Sequence, residues 1–272
     1  MKNLMSYVNP EKHFDEEGGV VVKVQIDNSL DLGWKREDLV LVTNFEFEYN
    51  GVKSIVVSDE NYCNFCPQAS KILTILDLFD KGIIEKELYW FHDLDAFQLE
   101  VINESDIDID EADVAMTDYG RMMRWTTGSM FFKNTARDIF GWVKDITYKY
   151  KTDEERAFMI LTGEGTHLVT PGCWGGFVNG YTTSDIPEIG NINVRIKKIN
   201  ITYNFQTFNL RSCYSIAIKP IRVAHFHPFP RPVNLYNPKP NGMEFFVHGN
   251  NKLGLVLIPQ RLARIFNQYG IK

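Results

Sequence analysis

The stretch Leu88-Tyr89-Trp90-Phe91-His92-Asp93-Leu94-Asp95-Ala96-Phe97 joins an apolar, aromatic run to two carboxylates one residue apart. Four or more consecutive bulky side chains cannot all face water, so the run predicts a buried strand. Side chains alternate along a strand, which sends Asp93 and Asp95 to one side at or just beyond its end. Open α/β sheets bind ligands at that edge. Two carboxylates converging there can hold a hard divalent cation, and the cation can neutralise a diphosphate. His92 falls on the opposite side and reads as a packing residue.

The flanking sequence predicts an α/β chain. On the N-terminal side, residues 20–26 (Val-Val-Val-Lys-Val-Gln-Ile) read as a first strand closed by the polar turn Asp27-Asn28-Ser29. Residues 39–43 and 52–57 read as two more strands, with Tyr49-Asn50-Gly51 as a turn. Ile72, Leu73, Ile75, Leu76 and Phe79 have helical spacing and predict a helix over 70–79. On the C-terminal side, 101–113 is an acidic loop, 114–116 and 128–132 are strands, and 135–151 and 153–161 are helices. The second of these opens on acids that suit its positive dipole end. Residues 162–190, rich in Gly and Thr, read as a long functional loop. Residues 192–224 alternate and read as β structure, the five prolines of 227–240 exclude regular structure, and 261–269 close the chain as a helix. Alternating strands and helices of this kind make a mixed sheet flanked by helices, within one domain.

Composition narrows the class. Hydrophobic residues at 44% and charged residues at 24% of 272 are ordinary globular values. No stretch reaches the roughly 18 to 20 apolar residues that cross a bilayer, and residues 1–19 lack the apolar core of a signal peptide. The expectation is a soluble, cytoplasmic protein with no membrane partner. Cys63, Cys66, Cys173 and Cys213 are too few and too scattered for a disulfide scaffold, which fits a reducing compartment. Cys63-x-x-Cys66 could be half a zinc site or a redox pair, but reads first as two small buried side chains. Charge is distributed unevenly. Residues 190–272 hold twelve Lys or Arg against the single acid Glu244, a balance of +11, whereas residues 1–189 stand at −17. Such a split points to an anionic partner for the C-terminal part, duplex DNA being the obvious candidate. Pairing of these cations with the acidic half, or with the diphosphate of a small donor, accounts for it equally well.

A second motif lies far downstream. Val223-Ala224-His225-Phe226-His227-Pro228-Phe229-Pro230-Arg231-Pro232 carries a His-Phe and, six residues after the His, a cation followed by Pro. Together with Asp93-x-Asp95, it resembles the metal site and closing loop of GT-A nucleotide-sugar glycosyltransferases. The spacing is similar to that of glycogenin-type enzymes, with Arg in place of Lys. Trp125-Thr126-Thr127-Gly128-Ser129-Met130-Phe131-Phe132 resembles the Asn-x-Gly-Val-Met-x-Phe strand of such enzymes, with Thr126-Thr127 where Asn or a small residue is usual. Asp153-Glu154-Glu155 sits where they carry a short acidic motif opening a helix. The resemblance covers about residues 20 to 235, and the order and spacing of its motifs carry it. Residues 90–97 also look like GT-A enzymes encoded by bacteriophages, some of which glycosylate hydroxymethylated pyrimidines in DNA. A phage enzyme of that kind would work in the host cytoplasm.

The resemblance implies a GT-A type Rossmann-like fold over 1–272, with a nucleotide-binding half (20–100), a sugar and acceptor half (101–240) and a C-terminal extension (241–272). It implies Asp93, Asp95 and His225 as ligands of Mn²⁺, or alternatively Mg²⁺, with His227 competing for the His position. Arg231 would grip the donor diphosphate, for which a guanidinium fork is well shaped. Lys71 and Leu94 would contact the nucleotide, as would Asp27, Asn28 and Asn44 at strand ends, each of the last three also an ordinary turn residue. Gly128 would let the backbone approach the sugar. Asp153, Glu154 and Glu155 offer a general base or a group orienting the sugar, or else only charge stabilisation of the helix N-terminus. Three readings stand. One is a metal-dependent glycosyltransferase using a nucleoside-diphosphate sugar, UDP-linked by preference, on modified phage DNA. The second keeps the enzyme but gives it a glycan or small-molecule acceptor. The third is a nucleotide-binding module without turnover.

Overall fold

The strand β1 (Lys2–Tyr7) sits at the centre of an eight-stranded mixed sheet. The structure is a computed structural model and describes residues 1–85, 87–120, 125–163, 167–169, 177–181, 194–206, 211–225 and 259–271. After β1 come α1 (Glu16–Asp31), β2 (Leu39–Thr43), β3 (Glu48–Tyr49), β4 (Val52–Val56), α2 (Ser70–Asp80), β5 (Tyr89–His92) and β6 (Ala96–Gln98). The second half holds β7 (Val114–Asp118), β8 (Trp125–Phe132), α3 (Arg137–Tyr150), α4 (Glu154–Thr162), β9 (His167–Val169) and β10 (Phe177–Tyr181). It ends with β11 (Ile196–Lys198), β12 (Phe205–Gln206), α5 (Arg211–Ile216), β13 (Val223–His225) and α6 (Gln260–Gln268). The main sheet runs β11-β7-β8-β5-β1-β2-β4-β3, parallel from β5 through β1 and β2 to β4, with β8 antiparallel to both β5 and β7. A small sheet, β12-β13-β6, stands beside it, and β9 pairs with β10.

Strand alternation builds the two faces. Leu4, Val42, Phe91, Met130 and Phe132 pack against α2, α3 and α4, where Ile75, Phe140 and Phe158 are buried. Their neighbours Met5 and Leu41 turn to the opposite face and meet Val22 and Ile26 of α1. Trp90 and Phe131 extend that face into a third cluster with Ile107 and Tyr203. The terminal helix α6 covers α1 through Leu262, Ile265 and Phe266.

Two expectations are overturned at the N-terminus. Residues 20–26 are not a strand but the middle of α1. Asp15 caps this helix by accepting from the Gly18 N–H (2.6 Å), and Gly18, Val21, Val22, Gln25, Ile26 and Ser29 form its buried stripe. Burial of a helical face thus outweighs the β preference of the valine run. The first strand is instead β1, which begins at residue 2. Its charged and amide residues hide a central strand: Asn3 is fully buried because it donates to Ser29 Oγ (3.1 Å) and faces His92 Nε2 (2.9 Å). The turn at Asn50-Gly51, with φ of 49° and 78°, closes the hairpin β3–β4 rather than joining β2 to β4, which lie parallel. Such positive φ values favour Asn-Gly.

The remaining elements fall close to their predicted positions. In the span read as a loop, the described parts include β9 and β10, and the β-like span 192–224 contains α5. Residues 227–240 lie outside the described residues. Cys63 and Cys66 are both fully buried. Cys63 is a free thiol whose pKa burial pushes up, whereas Cys66 is disulfide-bonded, which the expected reducing compartment does not predict. Among the described residues no helix is long and apolar enough to cross a membrane.

Candidate active site

Beyond the end of β5 the chain turns sharply. The Asp93 N–H donates to Gly128 O of β8 (2.9 Å), and the Ala96 N–H donates back to Asp93 O (3.0 Å). This turn between β5 and β6, rather than strand alternation, presents Asp93 and Asp95 to the same cavity. β6 then pairs antiparallel with β13, with His225 opposite Ala96. One ligand atom from each of Asp93, Asp95 and His225 lies within 4.8 Å of the other two, and His225 Nε2 is 3.1 Å from Asp95 Oδ1. His92 faces away, stacked on Trp90 at 4.3 Å and bonded to Asn3. Burial drives its pKa down to about 4, so the ring is neutral at pH 7.

Gly128 has a different neighbour from the one expected. A Cβ built on it would enter the van der Waals envelope of the His225 ring, so it is the imidazole that the missing side chain accommodates. The other edge of that ring meets Asn204, whose Oδ1 lies 3.0 Å from His225 Nδ1.

The three ligand candidates open onto a cavity of about 500 Å³, within the usual range for small-molecule sites. Lys71, on the first turn of α2, is buried beneath them. Its ammonium reaches Asp93 Oδ1 (2.7 Å), Asp93 Oδ2 (2.9 Å) and Glu154 Oε1 (3.3 Å). Burial alone would favour the neutral amine, but the carboxylates of Asp93 and Glu154 outweigh it and hold its pKa above the ordinary lysine value. Leu94 lines the same cavity, and its carbonyl accepts from Gln25 Nε2 (2.7 Å).

The acidic triplet divides into three roles. Asp153 caps α4 by accepting from the Arg156 N–H (2.8 Å) and forms an ion pair with the Arg156 guanidinium, so its charge is committed to the helix. Glu154 is buried, and its Oε1 accepts from Thr127 Oγ1 (2.9 Å) as well as from Lys71. Its Oε2 has no hydrogen-bond partner among the described residues. Glu155 is half-buried and accepts from Tyr119 through both oxygens (3.0 and 2.8 Å). All three line the cavity.

Other predicted contacts lie elsewhere. Asp27 and Asn28 are on α1, away from the cavity. Asp27 accepts from Tyr49 Oη (3.1 Å) and Tyr269 Oη (2.6 Å), tying α6 down, while Asn28 donates to Gln98 O (2.9 Å). Asn44 follows β2 as expected but clamps the chain after β1: it accepts from the Asn9 N–H (3.0 Å) and donates to Asn9 O (2.8 Å). His227 and Arg231 lie outside the described residues. Among the described residues, the cavity is also walled by Ser6, Tyr7 and Val8 at the end of β1 and by Asp15 and Glu17 at the start of α1. Reading Asp15-Glu16-Glu17 as a helix N-cap with an acidic first turn was the sequence signal available for these residues.

Three basic residues of the 190–272 span are engaged within the fold. Arg195 forms a forked pair with Asp113 (2.9 and 2.6 Å), Lys197 pairs with Asp108 (2.5 Å) and Asp110 (2.8 Å), and Lys198 pairs with Asp118. At these positions the cations are matched by the acidic half of the chain.

No family model and no curated protein sequence matches the chain. Solved structures do. The galactosyltransferase LgtC in complex with donor and acceptor sugar analogues superposes with a TM-score of 0.54 at 11% identity, over 97% of this chain and all of that one. An active-site mutant of LgtC gives 0.50 at 12% identity, over 84% of this chain and 88% of that one. The glycosyltransferase GlyE of Streptococcus pneumoniae gives 0.54 at 10% identity, with this chain spanning 65% of its length. At these identities the likeness is one of fold, and the fold is the GT-A type, a mixed α/β sheet flanked by helices.

Proposed function

We propose that the chain is a glycosyltransferase that moves a sugar from a nucleoside-diphosphate donor, UDP-linked by preference, to a hydroxyl acceptor, with a divalent cation held by Asp93, Asp95 and His225. One observation carries the reading. Two carboxylates and an imidazole, 132 residues apart at the extremes, converge within 4.8 Å at a 500 Å³ cavity on a GT-A type sheet. The donor set fits such an ion. Oxygen ligands stand about 2.0–2.6 Å from Mg²⁺ or Ca²⁺, so ligands of one ion lie at most roughly 4 to 5 Å apart. Oxygen and imidazole donors together suit Mn²⁺, with Mg²⁺ the alternative.

The electrostatics of the cavity support the same conclusion. Among the described residues, seven carboxylates line it (Asp15, Glu17, Asp93, Asp95, Asp153, Glu154 and Glu155) against the single ammonium of Lys71. A diphosphate entering this field needs additional positive charge. When bound, the cation supplies that charge and acts as a Lewis acid on the leaving group. The chain's own residues do the rest. Lys71 holds Asp93 in place, Glu154 braces Lys71 and Thr127 from the cavity wall, and Glu155, bonded by Tyr119, would take the acceptor's proton. Arg231 would add a diphosphate contact.

Modified DNA as acceptor rests on the +11 balance of residues 190–272 and on the resemblance to phage enzymes. A glycan or small-molecule acceptor is favoured by the pairing of Arg195, Lys197 and Lys198 with Asp113, Asp108, Asp110 and Asp118. The experiment is a screen of nucleotide sugars with Mn²⁺, with and without duplexes containing hydroxymethylcytosine or hydroxymethyluracil. Release of nucleoside diphosphate that stops with chelator and falls at least about 100-fold in Asp95→Asn is the expected result, since Asp95 is read as a direct metal ligand. Donor binding without turnover would make the chain a nucleotide-binding module, and chelator-indifferent turnover would remove the metal from the reaction.

A further inference from the structure

The side of His225 turned away from the cavity is as specifically built as the side facing it. Asn204, fully buried, precedes β12, and Gln206 ends it. β12 lies parallel to β13 with Gln206 opposite His225. Asn204 Nδ2 and Gln206 Nε2 both donate to Thr126 Oγ1 on β8, at 3.1 and 2.7 Å. With its amide nitrogen committed to Thr126, Asn204 turns its carbonyl oxygen to His225 Nδ1 (3.0 Å). A carbonyl oxygen only accepts, so Nδ1 must carry the ring proton. In the neutral ring Nε2 then presents a lone pair on the side where Asp95 Oδ1 lies 3.1 Å away. A lone pair beside a carboxylate is an unfavourable pair in isolation and a favourable one around a shared cation. Gly128 beneath the ring leaves no space for a Cβ, which fixes the ring plane as Asn204 fixes its edge.

We propose that Asn204 is a positioning residue that holds His225 as its Nδ1–H tautomer and so directs the Nε2 lone pair toward Asp93 and Asp95, with Thr126, itself bonded by Gln206, fixing Asn204 from behind. The inference rests on the metal reading of Asp93, Asp95 and His225 given above. Asn204 is not among the residues that line the cavity. It acts through the ring, and Thr126 acts through Asn204. This gives the residue pair Thr126-Thr127 two separate duties: Thr127 serves Glu154 and Thr126 serves the histidine.

The test reads the tautomer directly. In protein labelled with ¹⁵N-histidine, long-range ¹H–¹⁵N correlation distinguishes Nδ1–H from Nε2–H rings, and the His225 signal is the one lost in His225→Gln. The expected result is an Nδ1–H ring in the wild type without metal, a shift to Nε2–H in Asn204→Leu, and retention of Nδ1–H in Asn204→Asp, whose carboxylate still accepts. Mn²⁺ affinity in the presence of UDP, followed by the EPR signal of free Mn²⁺, should fall about 10- to 100-fold in Asn204→Leu and stay within a few-fold in Asn204→Asp. Thr126→Val, which keeps the side-chain shape, should give an intermediate loss. An Nε2–H ring in the wild type overturns the inference whatever becomes of the variants. So does a folded Asn204→Leu with the wild-type tautomer and Mn²⁺ affinity. If instead the wild-type ring is Nδ1–H but Mn²⁺ does not bind with UDP, the metal reading fails, and the positioning role fails with it.

Discussion

Substituting Gly128 by alanine isolates the contact around which the site is assembled. Gly128 is absent from the residues with positive φ, so its backbone accepts any side chain, and the obstacle is steric alone. β8 cannot yield, because all eight of its residues are buried between β5 and β7. The His225 ring must therefore move. Overpacking of this kind costs about 1–3 kcal/mol. In a His225→Ala background the obstruction is gone, and Gly→Ala within a strand should then gain roughly 0.5–1 kcal/mol. The sign of the substitution reverses, for a coupling of about 1.5–4 kcal/mol. Thermal or denaturant unfolding of wild type, both single variants and the double variant, all with chelator, measures it. Each kcal/mol should appear as roughly 2–4 °C in Tm for a chain of this size. Equal costs of Gly128→Ala in the two backgrounds would refute the reasoning, since the ring could not then occupy the space above residue 128.

Lys71→Met should destabilise the protein by about 3–5 kcal/mol, because it strands the carboxylates of Asp93 and Glu154 that the ammonium now compensates; a Glu154→Gln change in the same chain should recover part of the loss in a denaturation series. His92, its pKa depressed by burial to about 4, takes up its proton less readily folded than unfolded. Stability of the chelated protein should accordingly be complete above about pH 6.5 and fall by roughly 3 kcal/mol as pH drops toward 4, a slope that His92→Asn should flatten. Replacing Arg195, Lys197 and Lys198 together by Gln should leave any duplex-DNA affinity and its salt slope unchanged, since these cations are paired internally; a clear fall in the slope would restore the DNA acceptor. Glu155→Gln should lower transfer far more than donor hydrolysis, whereas Asp153→Ala should act on stability, by about 0.5–2 kcal/mol through loss of the α4 cap.

The parts of the fold legible in the sequence were those where one physical signal stood alone. Residues 39–43, 70–79 and 88–91 carry unbroken apolar runs or clean helical spacing, and each becomes an element within a residue or two. The N-terminus failed for the opposite reason. β1 holds Asn3 in a fully buried position, and α1 buries Gln25, Asn28 and Ser29, so polar side chains interrupt both patterns. Those polar groups are satisfied only by partners distant in sequence: Asn3 by Ser29 and His92, Gln25 by Leu94 and Ala96, Asn28 by Gln98. A buried amide bonded across 70 residues has the same appearance in a sequence as an exposed one.

The same distinction separates the legible from the hidden half of the site. Asp93, Asp95 and His225 could be read because the order of motifs along the chain places them, and the β6–β13 pairing joins the two ends. Asp27 and Asn28 were misplaced because they were tied to a strand that is a helix, and the residues that do wall the cavity at that corner belong to the strand that was missed. Asp153, Glu154 and Glu155 are chemically near-identical in sequence, and only their partners tell them apart. Arg156 takes Asp153, Lys71 and Thr127 take Glu154, and Tyr119 takes Glu155. Of the three, Glu155 alone is only half-buried, and Tyr119 holds both of its oxygens at the cavity wall. A general base must be within reach of the hydroxyl whose proton it takes, which full burial prevents. That exposure, rather than position in the motif, is what suits Glu155 to the proposed role of proton acceptor.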